Sequence, residues 1–290
     1  MAVTAPLTRK HRLISLHGSV MLAVRTQQGV LVLTDKRRID PVGVDDNATK
    51  VMSFGPRCMC TFVGHLAIRD QRGNELNFNP AFWASGFFTA IPYNHTEAQY
   101  MQLGEHLVDN WRRCLRMFPR IARDNYKTDL HFFYSSQEDD TCYIEKVTFR
   151  CEQDGSNPRF SFDPSAFQAL INPPYLLVAG QDYLLKSFAR MSDEALGSAR
   201  FGDFVKRGIE PDTLPAEEAL AHYRVIVDSI SNGPKAPNGS ATISTNVDVF
   251  LVDPEIGFSW IHQNASITHP GFTNSRIVNA SPGTQRPYRE

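Results

Sequence analysis

The chain has 290 residues, enough for one large domain with a layered core. Hydrophobic residues make up 42% and charged residues 21%, and 30 basic against 31 acidic residues give a formal charge of −1. That balance offers no footprint for nucleic acid or an anionic membrane surface, and no apolar run approaches the ~18 residues of a membrane span.

Met1–Gly18 is basic but lacks the apolar core of a secretory signal, so a cytoplasmic protein is expected. Short β-prone runs follow at Val20–Arg25, Val30–Thr34, Lys50–Phe54 and Cys58–Val63, separated by turn-like Gln27-Gln28-Gly29 and Gly55-Pro56-Arg57. Cys58 and Cys60 alternate with Met59, so a strand points both thiols the same way. With an odd total of five cysteines and no histidine at zinc-like spacing, they read as core residues, and no metal is expected. Asp70–Tyr93 reads as a loop or insertion carrying its own aromatic cluster. Thr96–Met117 reads as a helix whose apolar stripe runs Met101, Gly104, Val108, Trp111, Leu115 and on to Phe118, with Arg112, Arg113 and Arg116 off it and Pro119 ending it.

Strand signals return at His131–Tyr134, Tyr143–Arg150 and Tyr175–Ala179. Helical signals follow at Tyr183–Met191 and Pro215–Ile230. Asn246–Val252 and Phe258–His262 flank a hairpin turn at Asp253–Gly257. After Asn264 the chain is polar and rich in Pro, Gly and Asn. Blocks of strands and helices predict an α+β domain with antiparallel sheets.

One spaced set carries chemistry: Gly18-Ser19, Asp35, Lys50 and Gly64, each at the edge of a strand-like run. Gly-Ser alone means nothing, since it occurs four times in the chain. Together the four residues supply what amide hydrolysis needs. A serine freed at an N-terminus is nucleophile and base at once, because an α-amine titrates near 7.7–8. For that, residues 1–18 must be removed, and glycine at 18 leaves room for the Ser19 hydroxyl to attack the preceding carbonyl. Lys50 favours the developing alkoxide, Asp35 pairs with Lys50 and holds it charged, and Gly64 offers a backbone N–H to the oxyanion.

Through Gly64 the sequence resembles the opening of proteasome β-type subunits and their bacterial HslV-type and Anbu-type relatives. In that family a Gly precedes the nucleophile, a second strand ends in Asp followed by a basic residue, a Lys opens the third strand and a Gly ends the fourth. Here these features read Gly18-Ser19-Val20, Leu33-Thr34-Asp35-Lys36-Arg37, Thr49-Lys50-Val51 and Phe62-Val63-Gly64. The resemblance implies a four-layer αββα sandwich, the N-terminal nucleophile (Ntn) hydrolase fold, spanning 19–263. Residues 1–18 become a propeptide or extension, about 70–95 an insertion, and 264–290 a polar tail. It implies catalysis by Ser19, Asp35, Lys50 and Gly64 without a cofactor, and a substrate pocket lined by Arg38, Met52 and Phe62. It further implies a peptide or unfolded-protein substrate, self-association into stacked rings and an unfoldase ATPase as partner. The family nucleophile is usually threonine, and here it is serine. The later Asp…Ser-Gly-Gly support motif has two sets of stand-ins, Asp228 with Ser231 or Ser240 with Ser244. The alternatives are an inactive ring or scaffold subunit, which commonly has Glu where this chain has Asp35, and an acylase acting on a small amide.

Overall fold

The computed structural model describes residues 20–40, 43–48, 50–64, 68–69, 75–76, 80–94, 96–117, 126–151, 160–161, 176–179, 216, 219 and 246–266. In chain order the strands are β1 (Met21–Thr26), β2 (Gly29–Asp35), β3 (Arg38–Asp40), β4 (Gly43–Asp45), β5 (Val51–Ser53), β6 (Cys58–Gly64), β7 (Ile68–Arg69) and β8 (Glu75–Leu76). Then come helices α1 (Pro80–Ala90) and α2 (Glu97–Met117). Strands β9 (Tyr126–Ser136), β10 (Thr141–Cys151), β11 (Phe160–Ser161), β12 (Leu176–Ala179), β13 (Asn246–Asp253) and β14 (Gly257–Ser266) complete the described chain.

Two five-stranded sheets result, in the orders β12-β1-β2-β13-β14 and β11-β10-β9-β6-β5. Every pairing in them is antiparallel. Side chains alternate across a strand, so each run chooses its neighbours two residues at a time. Met21, Ala23, Val32, Phe250 and Val252 of the first sheet meet Met59, Val63, Phe133 and Ile144 of the second. The intervening residues of the second sheet, Cys58, Cys60, Phe62, Leu130, Phe132 and Phe149, face the helices. Cys58 and Cys60 are thus core residues on one face, as their spacing predicts, and burial pushes both thiols well up.

The first sheet is also covered on its far side. Leu22, Val24, Leu31, Leu33, Val249 and Leu251 alternate with the inner set and are buried too. Ala216 and Ala219, the two described residues of the expected Pro215–Ile230 helix, are helical and buried, and Ala216 N–H donates to Gln28 Oε1 at 3.0 Å. Three layers stand among the described residues: helices, sheet, sheet. The chain is an α+β fold built on two antiparallel sheets. The Tyr183–Met191 expectation and the polar tail beyond Ser266 lie outside the described residues.

Two local expectations change. Residues 80–90 form helix α1, not a loop, and Trp83, Phe87 and Phe88 join the main core instead of a separate cluster. Pro80 sits in the first turn, where its missing N–H costs nothing, and no charged residue interrupts the helix. Helix α2 lies where predicted, but its buried stripe is Tyr100, Leu103, Leu107, Trp111 and Cys114, whereas Met101 is 48% exposed. Trp111 belongs to both stripes and Gly104 is buried too, so the buried face is turned from the expected one by less than one residue step. The Tyr100 ring takes the core position, and its hydroxyl meets Tyr93's. Among the described residues no helix is long and apolar enough to cross a membrane.

One end of the sandwich is latched by Arg57. Its Nη1 donates to Pro254 O at 3.0 Å and its Nη2 to Glu255 O at 2.8 Å, tying the β5–β6 turn to the β13–β14 turn. Phe258 N–H donates to Pro56 O at 3.2 Å beside it.

Candidate active site

The site begins where β2 ends. The apolar run Val30–Leu33 makes β2 a central strand between β1 and β13, and Asp35 closes it. Asp35 N–H donates to Val20 O at 3.1 Å, extending the β1–β2 ladder past its Met21–Thr34 rung. The carboxylate is then filled from three sides. Val20 N–H donates to Oδ1 at 2.7 Å, Lys50 Nζ donates to the same oxygen at 2.9 Å, and Arg37 N–H donates to Oδ2 at 3.0 Å.

Lys50 arrives from the other sheet, one residue before β5. The connecting segment is pinned first by Arg37, whose Nε and Nη2 grip both oxygens of Asp46 at 2.6 and 2.9 Å. Ala48 N–H then donates to Lys36 O at 3.1 Å. Lys50 and Asp35 thereby join the two sheets through a pair whose side chains are 0% and 1% exposed.

Burial dominates the electrostatics of this pair. It pushes the Asp35 carboxyl up, against Lys50 and the Val20 and Arg37 N–H groups. It pulls the Lys50 amine down, against Asp35, and the nearby Lys36 and Arg37 charges pull the same way. The charged amine is therefore less favoured than a simple ion pair would make it.

Gly64 ends β6 level with Thr128 on β9. Its φ is +112°, and a Cβ there would stand 2.4 Å from Lys127 O, so backbone and neighbour both demand glycine. Val51 pairs with Thr61, which places Lys50 level with Phe62 and Gly64 two residues beyond, about 7 Å along the strand. Met52 and Phe62 are buried in the core beneath α1 and α2. Arg38 opens β3, paired with Asp45. Ser19 lies outside the described residues, and its chain neighbour Val20 touches Asp35 directly. Asp228, Ser231, Ser240 and Ser244 also lie outside the described residues.

Lys36, the basic residue quoted after Asp35, had no partner assigned from sequence, and Asp248 escaped the sequence reading. Lys36 Nζ lies 3.1 Å from Asp248 Oδ2, with both side chains buried. The residues are 212 positions apart, and the one local hint was an aspartate inside the otherwise apolar Val247–Val252 run.

No protein-family model matches the chain, and no curated protein matches it in sequence. Among solved structures it is similar to the Anbu (Gly-1) mutant from Hyphomicrobium sp. strain MC1, at 14% identity over 89% of this chain and 91% of that one, with a TM-score of 0.41.

Proposed function

We propose that this chain is a proteasome-like Ntn hydrolase that cleaves peptide bonds with Ser19 after self-cleavage at Gly18-Ser19. The observation that carries the reading is the meeting of Val20 N–H and Lys50 Nζ on Asp35 Oδ1. It brings the residue bonded to Ser19 within hydrogen-bond distance of a buried acid–amine pair.

The chemistry divides into two phases. Before cleavage the Ser19 nitrogen is in an amide and cannot act as a base. The hydroxyl proton then passes to the Lys50 amine as the Ser19 oxygen bonds to the Gly18 carbonyl carbon. The Gly18–Ser19 C–N bond breaks, the proton goes to the departing nitrogen, and water hydrolyses the resulting ester. After cleavage the freed α-amine stands beside the hydroxyl and shares the work of base. Asp35 orients Lys50 throughout, and the Gly64 N–H serves the oxyanion. Arg38 borders the substrate pocket, and Met52 and Phe62, buried beneath the helices, back it from the core.

In this reading 19–263 is one four-layer αββα domain, with Ala216 and Ala219 belonging to the fourth layer, 1–18 a propeptide and 264–290 a tail. The substrate is a peptide or unfolded protein, and the chains assemble into stacked rings in the cytoplasm.

The test is the intact mass of purified wild type beside Ser19→Ala. Loss of residues 1–18 in the wild type and their retention in Ser19→Ala is the expected result. A full-length wild type in every preparation would leave the amine blocked and favour a non-catalytic ring or scaffold subunit.

A further inference from the structure

A second buried ion pair stands against the first. Lys36 follows Asp35 directly, and its side chain and that of Asp248 are 4% and 3% exposed, with 3.1 Å between Nζ and Oδ2. Its backbone is held on both sides: Lys36 N–H donates to Asn246 O at 3.0 Å, and Lys36 O accepts Ala48 N–H at 3.1 Å. Asp248 stands on β13 level with Thr34. Lys36 is thus fixed between β13 and the segment that delivers Lys50. Folding does not ask for such a pair. Taking two charges out of water is costly, and an apolar pair of similar volume serves a sheet interior as well or better. Buried charges crowded beside a reactive amine are where function is expected instead.

We propose that Lys36, clamped by Asp248, is a positioning residue for this site: its fixed charge keeps the Lys50 amine ready to accept a proton. The inference rests on the reading of Lys50 as proton acceptor. Among the described residues the charged groups acting on Lys50 are Asp35, Lys36 and Arg37 at the end of β2, and Asp248 on β13 and Asp46 after β4 hold Lys36 and Arg37 in turn. Asp35 favours the charged amine, whereas Lys36 and Arg37 oppose it. Arg37 is gripped at two points by Asp46, which is 36% exposed, so solvent screens that pair. Lys36 lies buried, where a charge acts at low dielectric and is felt further.

The experiment is a pH titration of the lysine side-chain 15N signals in the full chain, with Lys50 assigned by its absence in Lys50→Met. In the paired variant Lys36→Met with Asp248→Asn, the Lys50 midpoint is expected to rise by about one pH unit, tenfold in proton affinity. Lys36→Arg, which keeps the charge, should leave the midpoint within a few tenths of a unit. A midpoint that does not move in the paired variant overturns the proposal. So does loss of the fold in both that variant and Lys36→Gln with Asp248→Asn, because the pair is then structural. The hydrolase reading fails separately: a wild type that never self-cleaves, yet whose Lys50 midpoint responds as stated, removes the reaction and leaves the Lys36 effect standing.

Discussion

Lys50 Nζ sits 2.9 Å from Asp35 Oδ1, joining the lead-in to one sheet to the last residue of a strand in the other. Removing either partner leaves a buried charge without its counterpart. Lys50→Met is therefore expected to cost about 3–5 kcal/mol in urea unfolding. Lys50→Met combined with Asp35→Asn, whose amide oxygen still accepts from the Val20 N–H, should recover part of that stability. Self-cleavage should be absent in both. If the double variant is no more stable than Lys50→Met, the pair is not the source of the loss.

Gly64→Ala must absorb a φ of +112° and a Cβ 2.4 Å from Lys127 O. A loss of about 2–4 kcal/mol is expected, from backbone strain together with displacement of β9. Gly86→Ala is the contrast: it is helical, exposed and has nothing within 4 Å of the added Cβ. There the change should stabilise by about 0.5–1 kcal/mol. Denaturation midpoints of the two variants, measured side by side, check both.

His131 gives the fold a pH dependence. Burial lowers its imidazole from 6.5 to about 4, against the pull of Asp129, with Lys146 and Lys127 adding to the drop. Its contribution is fully present above pH 6.5. It is lost as pH falls from 6.5 towards 4, because there the unfolded chain binds a proton that the folded chain refuses. The window is worth roughly 3 kcal/mol. Urea midpoints at pH 7 and pH 4.5 should differ by less in His131→Gln than in wild type. Equal differences would remove His131 as the cause.

Arg57→Ala should loosen the latch between the two hairpins. It removes the donors to Pro254 O and Glu255 O, and an expected loss of about 1–2 kcal/mol follows. Arg57→Lys should recover less than half, since an ammonium cannot span two carbonyls as the guanidinium fork does. Thermal melts of the two variants decide it.

Much of the sheet was legible because a strand's pattern is local. Val30–Thr34, Cys58–Val63 and Asn246–Val252 carry β-prone residues in runs bounded by turn residues, the last broken only by Asp248, and the structure keeps each within a residue at its ends. Asp35 and Lys50 were legible for a different reason. Their spacing resembles a known pattern, and the structure brings them together. Helix α1 was not legible, because Phe82, Trp83, Phe87 and Phe88 give aromatic residues without a clean period. What made it a helix was a sheet face of Phe62, Phe132 and Phe149 that needed covering.

By itself the sequence determined the longer strands of the two sheets but not the short strands β3, β4, β7, β8 and β11, and it determined that α2 is amphipathic and that Asp35 and Lys50 stand at strand ends. Only the tertiary structure decided which side of α2 is buried, that Lys36 meets Asp248, and that burial loosens the proton on Lys50 while denying one to His131. The division has one physical cause. Periodicity and turn chemistry are set by neighbours along the chain, whereas the loss of water around a side chain is set by whatever packs against it from across the fold.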